Sequence, residues 1–136
     1  MIHSFKFLSV LFFAFALLAI SACEKDDEDP TNKVTITIEE PANDAVISDC
    51  SDVHIHVDFS ATIENHEVEI ILHPEGDTGN KIIDYDEHDH DKEITFEQEV
   101  DLCSFPAGTC FHLEVSACVD HDCAEKETAD AEFCLQ

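Results

Sequence analysis

The sequence has few cationic and few aromatic side chains. Its 136 residues include no tryptophan, one tyrosine and six lysines with no arginine, against 32 aspartates and glutamates. Nucleic acid is excluded as a partner, because binding it depends on lysine and arginine contacts that release counterions from phosphates. Attachment to anionic lipid headgroups through surface charge is also excluded, because the protein and the headgroups are both negatively charged. Glycan binding is disfavoured, because platforms of exposed tryptophan or tyrosine are missing.

Motifs that carry catalytic chemistry are also missing. The sequence contains no serine nucleophile elbow, no glycine-rich phosphate loop and no His-Glu-x-x-His pair, and it has only three glycines. A cysteine nucleophile is not expected, because all six cysteines beyond residue 23 can be oxidised. We therefore expect a protein that is not an enzyme.

The one long apolar run lies near the N-terminus. It covers residues 7–20, follows Lys6 and precedes small residues. A basic start, a short apolar stretch and small residues at the cleavage point are typical of a secretory signal peptide. Fourteen residues are too few to span a bilayer, which takes about 20. Residues 1–22 are therefore predicted to be a signal peptide.

The apolar run ends in a motif that predicts lipid attachment. Ile20-Ser21-Ala22-Cys23 resembles the bacterial lipobox, which implies cleavage before Cys23 and a membrane partner held through diacylglycerol on its sulfur. Lys25-Asp26-Asp27 resembles the export signal of Bacteroidota surface lipoproteins. That resemblance implies the outer face of the outer membrane rather than its periplasmic face. The charge-dense residues 23–33 are predicted to be a disordered tether.

Beyond the tether, residues 34–136 alternate between apolar and polar side chains, and no helical spacing is sustained. This length is sufficient for one domain. A series of short alternating segments with turns between them predicts a single antiparallel β-sandwich of about seven strands. The predicted strands are 34–38, 53–59, 68–72, 81–85, 94–100, 111–117 and 128–134.

Three motifs in this region resemble those of a known class of domain. They are Pro41 followed by Val46, then Pro106-Ala107-Gly108, and finally Val115-Ser116-Ala117-Cys118-Val119-Asp120. Their order is similar to that in the immunoglobulin-like domains of bacterial surface lipoproteins, which implies an immunoglobulin-like sandwich. The many histidines resemble those of an uncharacterised group of histidine-rich lipoproteins with this sandwich, a likeness that implies no particular activity.

Six cysteines follow Cys23, and an even number in a small exported domain predicts disulfides. Six cysteines allow fifteen pairings. Strands that alternate in direction put four of the six at one end of the sandwich, and the other two beside the last hairpin. On this basis the predicted disulfides are Cys50–Cys134, Cys103–Cys110 and Cys118–Cys123.

Eight histidines follow residue 23, and four of them lie in three loops that the predicted topology brings to one end of the sandwich. Neutral imidazole is the commonest protein ligand of zinc and copper, and carboxylates complete such sites. A zinc or copper ion is therefore predicted there. Calcium is a less favoured alternative, because aspartates are present but no EF-hand loop is. The predicted ligands are His66, His88, Asp89, His90, Asp91 and His121.

The other four histidines lie on predicted strands and are expected to face solvent. His54 and His56 alternate with core residues and are expected beside the glutamates of the fifth predicted strand. His73 and His112 are expected to be neighbours on adjacent strands. Both pairs are weaker ligand candidates than the loop histidines, and His54 with His56 is the better of the two pairs. The competing hypothesis is a structural or protein-interaction module of the cell surface that binds no metal.

Overall fold

A computed structural model describes residues 31–136, and all of the secondary structure in this part of the chain is β-strand. The predicted signal peptide, the lipidation at Cys23 and most of the predicted tether lie outside the described residues. No helix between residues 31 and 136 is long and apolar enough to cross a membrane.

The folded part begins slightly earlier than predicted. The side chain of Asn32 donates to the carbonyl oxygens of Glu64 and Val119, at 2.7 and 2.9 Å. Its Oδ1 accepts from the backbone N–H of Ile63 at 3.0 Å. Asn32, which falls within the predicted tether, is therefore hydrogen-bonded into the domain.

Within residues 31–136, eight strands form where about seven were predicted. The additional strand, β2, has only three residues and pairs in parallel with β8. Period-two patterning does not detect so short a strand. The strands are β1 (Val34–Glu40), β2 (Ala45–Ile47), β3 (Val53–Ala61), β4 (Glu67–Pro74), β5 (Ile83–His88), β6 (Glu93–Val100), β7 (Cys110–Cys118) and β8 (Lys126–Leu135).

The strands make two sheets. The three-stranded sheet has the order β1-β3-β6, and the five-stranded sheet has the order β2-β8-β7-β4-β5. All pairings other than that of β2 with β8 are antiparallel. The prediction of an all-β sandwich is confirmed at this level.

The core lies between the sheets and follows the alternation in the sequence. On β3 the residues Val53, Ile55, Val57 and Phe59 are at most 2% exposed, and the histidines between them are half-buried. Phe111 and Phe133, on the neighbouring strands β7 and β8, are fully buried with ring centres 5.4 Å apart. These apolar faces exclude water from the inner faces of both sheets, which is the main stabilising contribution.

Two of the three predicted disulfides are wrong. The structure pairs Cys50 with Cys103 and Cys110 with Cys134, whereas the prediction had Cys50–Cys134 and Cys103–Cys110. The third predicted pair, Cys118–Cys123, is present. The other four cysteines do lie together at one end of the sandwich, as predicted. Only the pairing among these four was predicted incorrectly.

Strand register explains the observed pairing. Val53 of β3 lies opposite Val100 of β6, so Cys50 and Cys103 each lie three residues beyond this pair and meet. Cys110 and Cys134 are direct cross-strand partners on β7 and β8. The three disulfides close loops of 53, 24 and 5 residues. Loop-closure entropy gives stabilisation of about 4, 3.5 and 2 kcal/mol, respectively.

Candidate metal centre

Three loops meet at the end of the sandwich opposite the cluster of four cysteines. The loop before β4 is joined to the loop after β5 by backbone hydrogen bonds, from Asp89 N–H to the His66 carbonyl at 2.8 Å and from Asn65 N–H to the Asp91 carbonyl at 3.1 Å. The buried Asn65 side chain adds bonds to the carbonyls of Asp91 and Lys92 at 2.8 and 3.0 Å. These contacts fix the two loops relative to each other.

The third loop, between β7 and β8, is fixed by other means. The Cys118–Cys123 disulfide closes it. Asp120 accepts the backbone N–H of Ala124 on Oδ1 at 2.8 Å, and Asn32 bridges this loop to the loop before β4. The position of His121 therefore follows from a short, closed turn.

Four imidazoles converge at this end, as the sequence predicted; we call them, with Glu64, the polar-end cluster. The ring centres of His88 and His90 are 4.8 Å apart, and those of His66 and His90 are 5.4 Å apart. His121 lies 5.8 Å from His66, 6.2 Å from His88 and 6.5 Å from His90. Two imidazoles on one tetrahedral zinc ion have ring centres about 5 Å apart, given Zn–N bonds of about 2.0–2.1 Å. The observed spacings approach that value.

One carboxylate joins the imidazoles. Glu64, His66 and His90 each offer a ligand atom within 4.8 Å of the other two. His90 Nδ1 lies 3.4 Å from Glu64 Oε2, and donors on a tetrahedral zinc ion lie about 3.3–3.4 Å apart. Glu64 was missing from the predicted ligands, although its position two residues before His66 in the same loop was a usable indication.

His66 has an unusual environment for a histidine. It is only 7% exposed, and its Nδ1 is buried with no hydrogen-bond partner among the described residues. A buried polar atom without a partner loses its hydration without compensation, which costs free energy. A bound ion is one way to satisfy such an atom.

The two predicted aspartate ligands are used differently. The Asp89 carboxylate accepts the backbone N–H of Asp91 at 2.9 Å, which closes a local turn. Asp91 contributes its backbone carbonyl to Asn65. Neither carboxylate belongs to the group that Glu64 forms with His66 and His90.

The histidines on β3 lie where the sequence predicted. His54 is opposite Glu99, and His56 is opposite Glu97. Both rings are partly exposed, and His54 Nδ1 lies 3.1 Å from Glu40. Among the described residues, this pair is not part of a group of three ligands.

His73 is more buried than the sequence predicted. It is opposite His112, as expected, but it is 3% exposed rather than facing solvent. The hydrogen bond from its ring to the Pro74 carbonyl raises the pKa of His73, burial opposes that rise, and the nearby Glu114 carboxylate adds to it. His73, His112 and Glu114 form a second group of three ligand atoms within 4.8 Å of one another.

Comparison with known proteins assigns no family to the chain: no protein-family model matches it, and no curated protein matches it.

Proposed function

We propose that the protein is a lipid-anchored lipoprotein of the bacterial outer membrane, exposed at the cell surface, whose immunoglobulin-like domain binds zinc or copper without catalysing a reaction. The metal is held by the polar-end cluster. The observation that carries the proposal is that the ring of His66, whose buried Nδ1 has no hydrogen-bond partner among the described residues, lies beside His90, His121 and Glu64.

The order of the strands supports the immunoglobulin-like assignment. In immunoglobulin domains, strands A, B and E share one sheet, and C, F and G share the other, to which variable-type domains add C′. The sheets β1-β3-β6 and β8-β7-β4-β5 follow this order. On this interpretation β5, the fourth of the predicted strands, corresponds to C′, because it pairs with β4.

Export and anchoring are supported by the sequence and by the disulfides. Three disulfides in one small domain are typical of proteins outside the cytosol. The lipobox-like motif at Cys23 supplies the anchor. The net charge of −26 rules out electrostatic attachment to anionic lipid but attracts cations to the surface.

The donor set favours a transition metal over calcium or magnesium. Imidazole suits zinc and copper, whereas calcium takes six to eight oxygen ligands. The polar-end cluster offers four imidazoles and one carboxylate. A soft thiolate site is not available, because all six cysteines of the described domain are in disulfides.

The test is metal binding by the full-length chain, purified with its disulfides intact and without a histidine tag. Elemental analysis after dialysis against zinc or copper should show that His88→Ala/His90→Ala loses one equivalent of metal relative to the wild type. The matched control is His54→Ala/His56→Ala, which removes two imidazoles from β3 and should retain that equivalent.

Thermal unfolding separates the proposal from the alternative of an interaction module that binds no metal. A metal that binds only the folded state must raise the melting temperature. We expect zinc to raise it for the wild type and EDTA to reverse the rise. An unchanged melting temperature, together with equal metal content in both double variants, would instead favour the interaction module.

A further inference from the structure

A second group of histidines lies on the outer face of the five-stranded sheet, away from the polar-end cluster. His73 on β4 is directly opposite His112 on β7, and their ring centres are 5.7 Å apart. Glu114 lies two residues beyond His112, so its side chain is on the same face. Two imidazoles and one carboxylate thus come from two paired strands rather than from loops.

Both rings direct a nitrogen towards one oxygen atom. His73 Nε2 is 3.3 Å from Glu114 Oε1, and His112 Nδ1 is 3.6 Å from the same oxygen. Donor atoms on a tetrahedral zinc ion lie about 3.3–3.4 Å apart. Both distances are close to that spacing, and one ligand atom of each of the three residues lies within 4.8 Å of the other two.

The opposite nitrogens face acceptors. His73 Nδ1 is 2.9 Å from the carbonyl oxygen of Pro74. A carbonyl can only accept, so this nitrogen carries the hydrogen. His112 Nε2 lies 3.6 Å from the Asp130 carboxylate. Histidines that ligate metals commonly donate their second N–H to a carbonyl or a carboxylate, which orients the ring.

This arrangement requires a proton or a metal ion between the groups. When Nδ1 of His73 carries the hydrogen, the Nε2 of the neutral ring presents a lone pair to a carboxylate oxygen 3.3 Å away. Two acceptors at that distance repel each other unless a proton or a metal ion lies between them. Because His73 is 3% exposed, water screens that repulsion poorly.

The group is also accessible to an ion. Glu114 is about half exposed, and it lines, with His112 and Asp130, a depression of about 480 Å³ on the outer face of the sheet. Zinc sites with three protein ligands leave a fourth position for water. The depression provides room for that water.

We propose that His73, His112 and Glu114 form a second site for a divalent transition metal such as zinc, independent of the polar-end cluster. His66 and His73 lie seven residues apart along β4 and the residue before it, so the two sites are separated by about 23 Å at about 3.3 Å per residue. Because no residue is shared, loss of one site leaves the other able to bind.

The test uses the full-length chain and zinc alone, with binding measured by calorimetry. In the His88→Ala/His90→Ala background, which removes two of the four imidazoles of the polar-end cluster, one equivalent of zinc should remain. Adding Glu114→Gln should lower the affinity of the protein for that zinc ion by roughly tenfold or more. Replacing a residue that only orients a metal ligand typically weakens metal binding by about 10–100-fold, and replacing a direct ligand should weaken it at least as much. The matched control is Glu127→Gln, an exposed glutamate on β8 opposite Ala117.

A second variant distinguishes loss of a metal ligand from damage to the fold. His112→Gln removes a half-buried ligand rather than the buried His73 and should weaken binding as Glu114→Gln does, with the circular dichroism spectrum unchanged. The inference is overturned if no zinc remains in the His88→Ala/His90→Ala background, or if Glu114→Gln binds as tightly as Glu127→Gln. If Glu114→Gln weakens binding but His88→Ala/His90→Ala loses nothing, this site stands and the polar-end cluster fails.

Discussion

At the scale of single residues, the buried histidines differ from the exposed ones in what their ring nitrogens face. His66 has a buried nitrogen with no partner, and His73 faces a carboxylate on one side and a carbonyl on the other. His54 and His56, in contrast, are partly exposed beside carboxylates. Burial therefore distinguishes His66 and His73 from the other six histidines of the described residues, whose exposed or half-buried rings can satisfy their nitrogens with water.

Tyr85 provides a test of the local electrostatics near the polar-end cluster. Burial against Phe96, together with a hydrogen bond from its hydroxyl to Glu87, raises the pKa of Tyr85 from 10.0 to about 12. It is the only tyrosine, and tryptophan is absent, so the near-ultraviolet absorbance of tyrosinate reports this group alone. We expect a titration midpoint well above 10 for the folded protein and near 10 in denaturant.

The sign of the linked stability change follows from these pKa values. Between pH 10 and about 12 the folded state holds the Tyr85 proton more tightly than the unfolded state, so the free energy of unfolding should fall as the pH rises through this window. Glu87→Ala should lower the midpoint but leave it above 10, because burial is the larger cause. Glu99→Gln, on the other sheet, should leave it unchanged. A wild-type midpoint of 10 would contradict the structure.

At the scale of elements, the candidate metal centre depends on loops that are joined by the Asn65 side chain and by a few backbone hydrogen bonds. Asn65 is fully buried and donates two hydrogen bonds to the carbonyls of Asp91 and Lys92. It adjoins both Glu64 and His66. The spacing between His66 and His90 therefore depends on this amide as well as on the backbone hydrogen bonds between the two loops.

Replacement of Asn65 should affect stability and metal binding together. Asn65→Ala leaves the two carbonyls without these donors, so we expect the free energy of unfolding to fall by about 1–3 kcal/mol. Zinc affinity at the polar-end cluster should fall as well, because the two loops lose the side-chain hydrogen bonds that join them. Urea unfolding and zinc calorimetry in the Glu114→Gln background measure the two effects.

The control for this variant is Asn80→Ala, which changes an exposed asparagine in the turn before β5. It should alter neither quantity by more than a few tenths of a kcal/mol. If Asn65→Ala weakened zinc binding no more than Asn80→Ala, the loops would not need the amide to hold the cluster together.

At the scale of the whole molecule, charge of one sign dominates. A net charge of −26 on 136 residues makes the folded chain repel itself. The three disulfides and the apolar core between the sheets hold the domain together against this repulsion. Bound divalent cations would reduce the repulsion as well as fill their sites.

Salt should therefore stabilise the protein even when no metal is present. In EDTA, raising the salt from about 10 mM to about 150 mM shortens the Debye length from about 30 Å to about 8 Å. The negative charges lie closer together in the folded state than in the expanded unfolded chain, so salt relieves more repulsion in the folded state. We therefore expect the melting temperature to rise by several degrees over this range. Sodium and potassium chloride should act equally. A melting temperature that falls or stays constant would show that self-repulsion is unimportant.

The pattern of side chains was sufficient for the fold class and for the end of the sandwich at which each loop lies. Alternation on β3 identified Val53, Ile55, Val57 and Phe59 as core, because side chains on a strand point to alternate faces. Alternating strand direction brought the loops of His66, His90 and His121 together, because adjacent strands of such a sandwich mostly run antiparallel.

The tertiary structure alone decided the partners within each end and the burial of each ring. Which cysteine met Cys50 depended on the register of β3 against β6, which the pattern of the sequence does not specify to one residue. Likewise, Glu64 rather than Asp89 or Asp91 joined the imidazoles, because loop hydrogen bonds orient side chains independently of their distance along the chain. The pattern of residues determines which face of a strand each side chain occupies, whereas strand register and loop contacts determine which side chains meet.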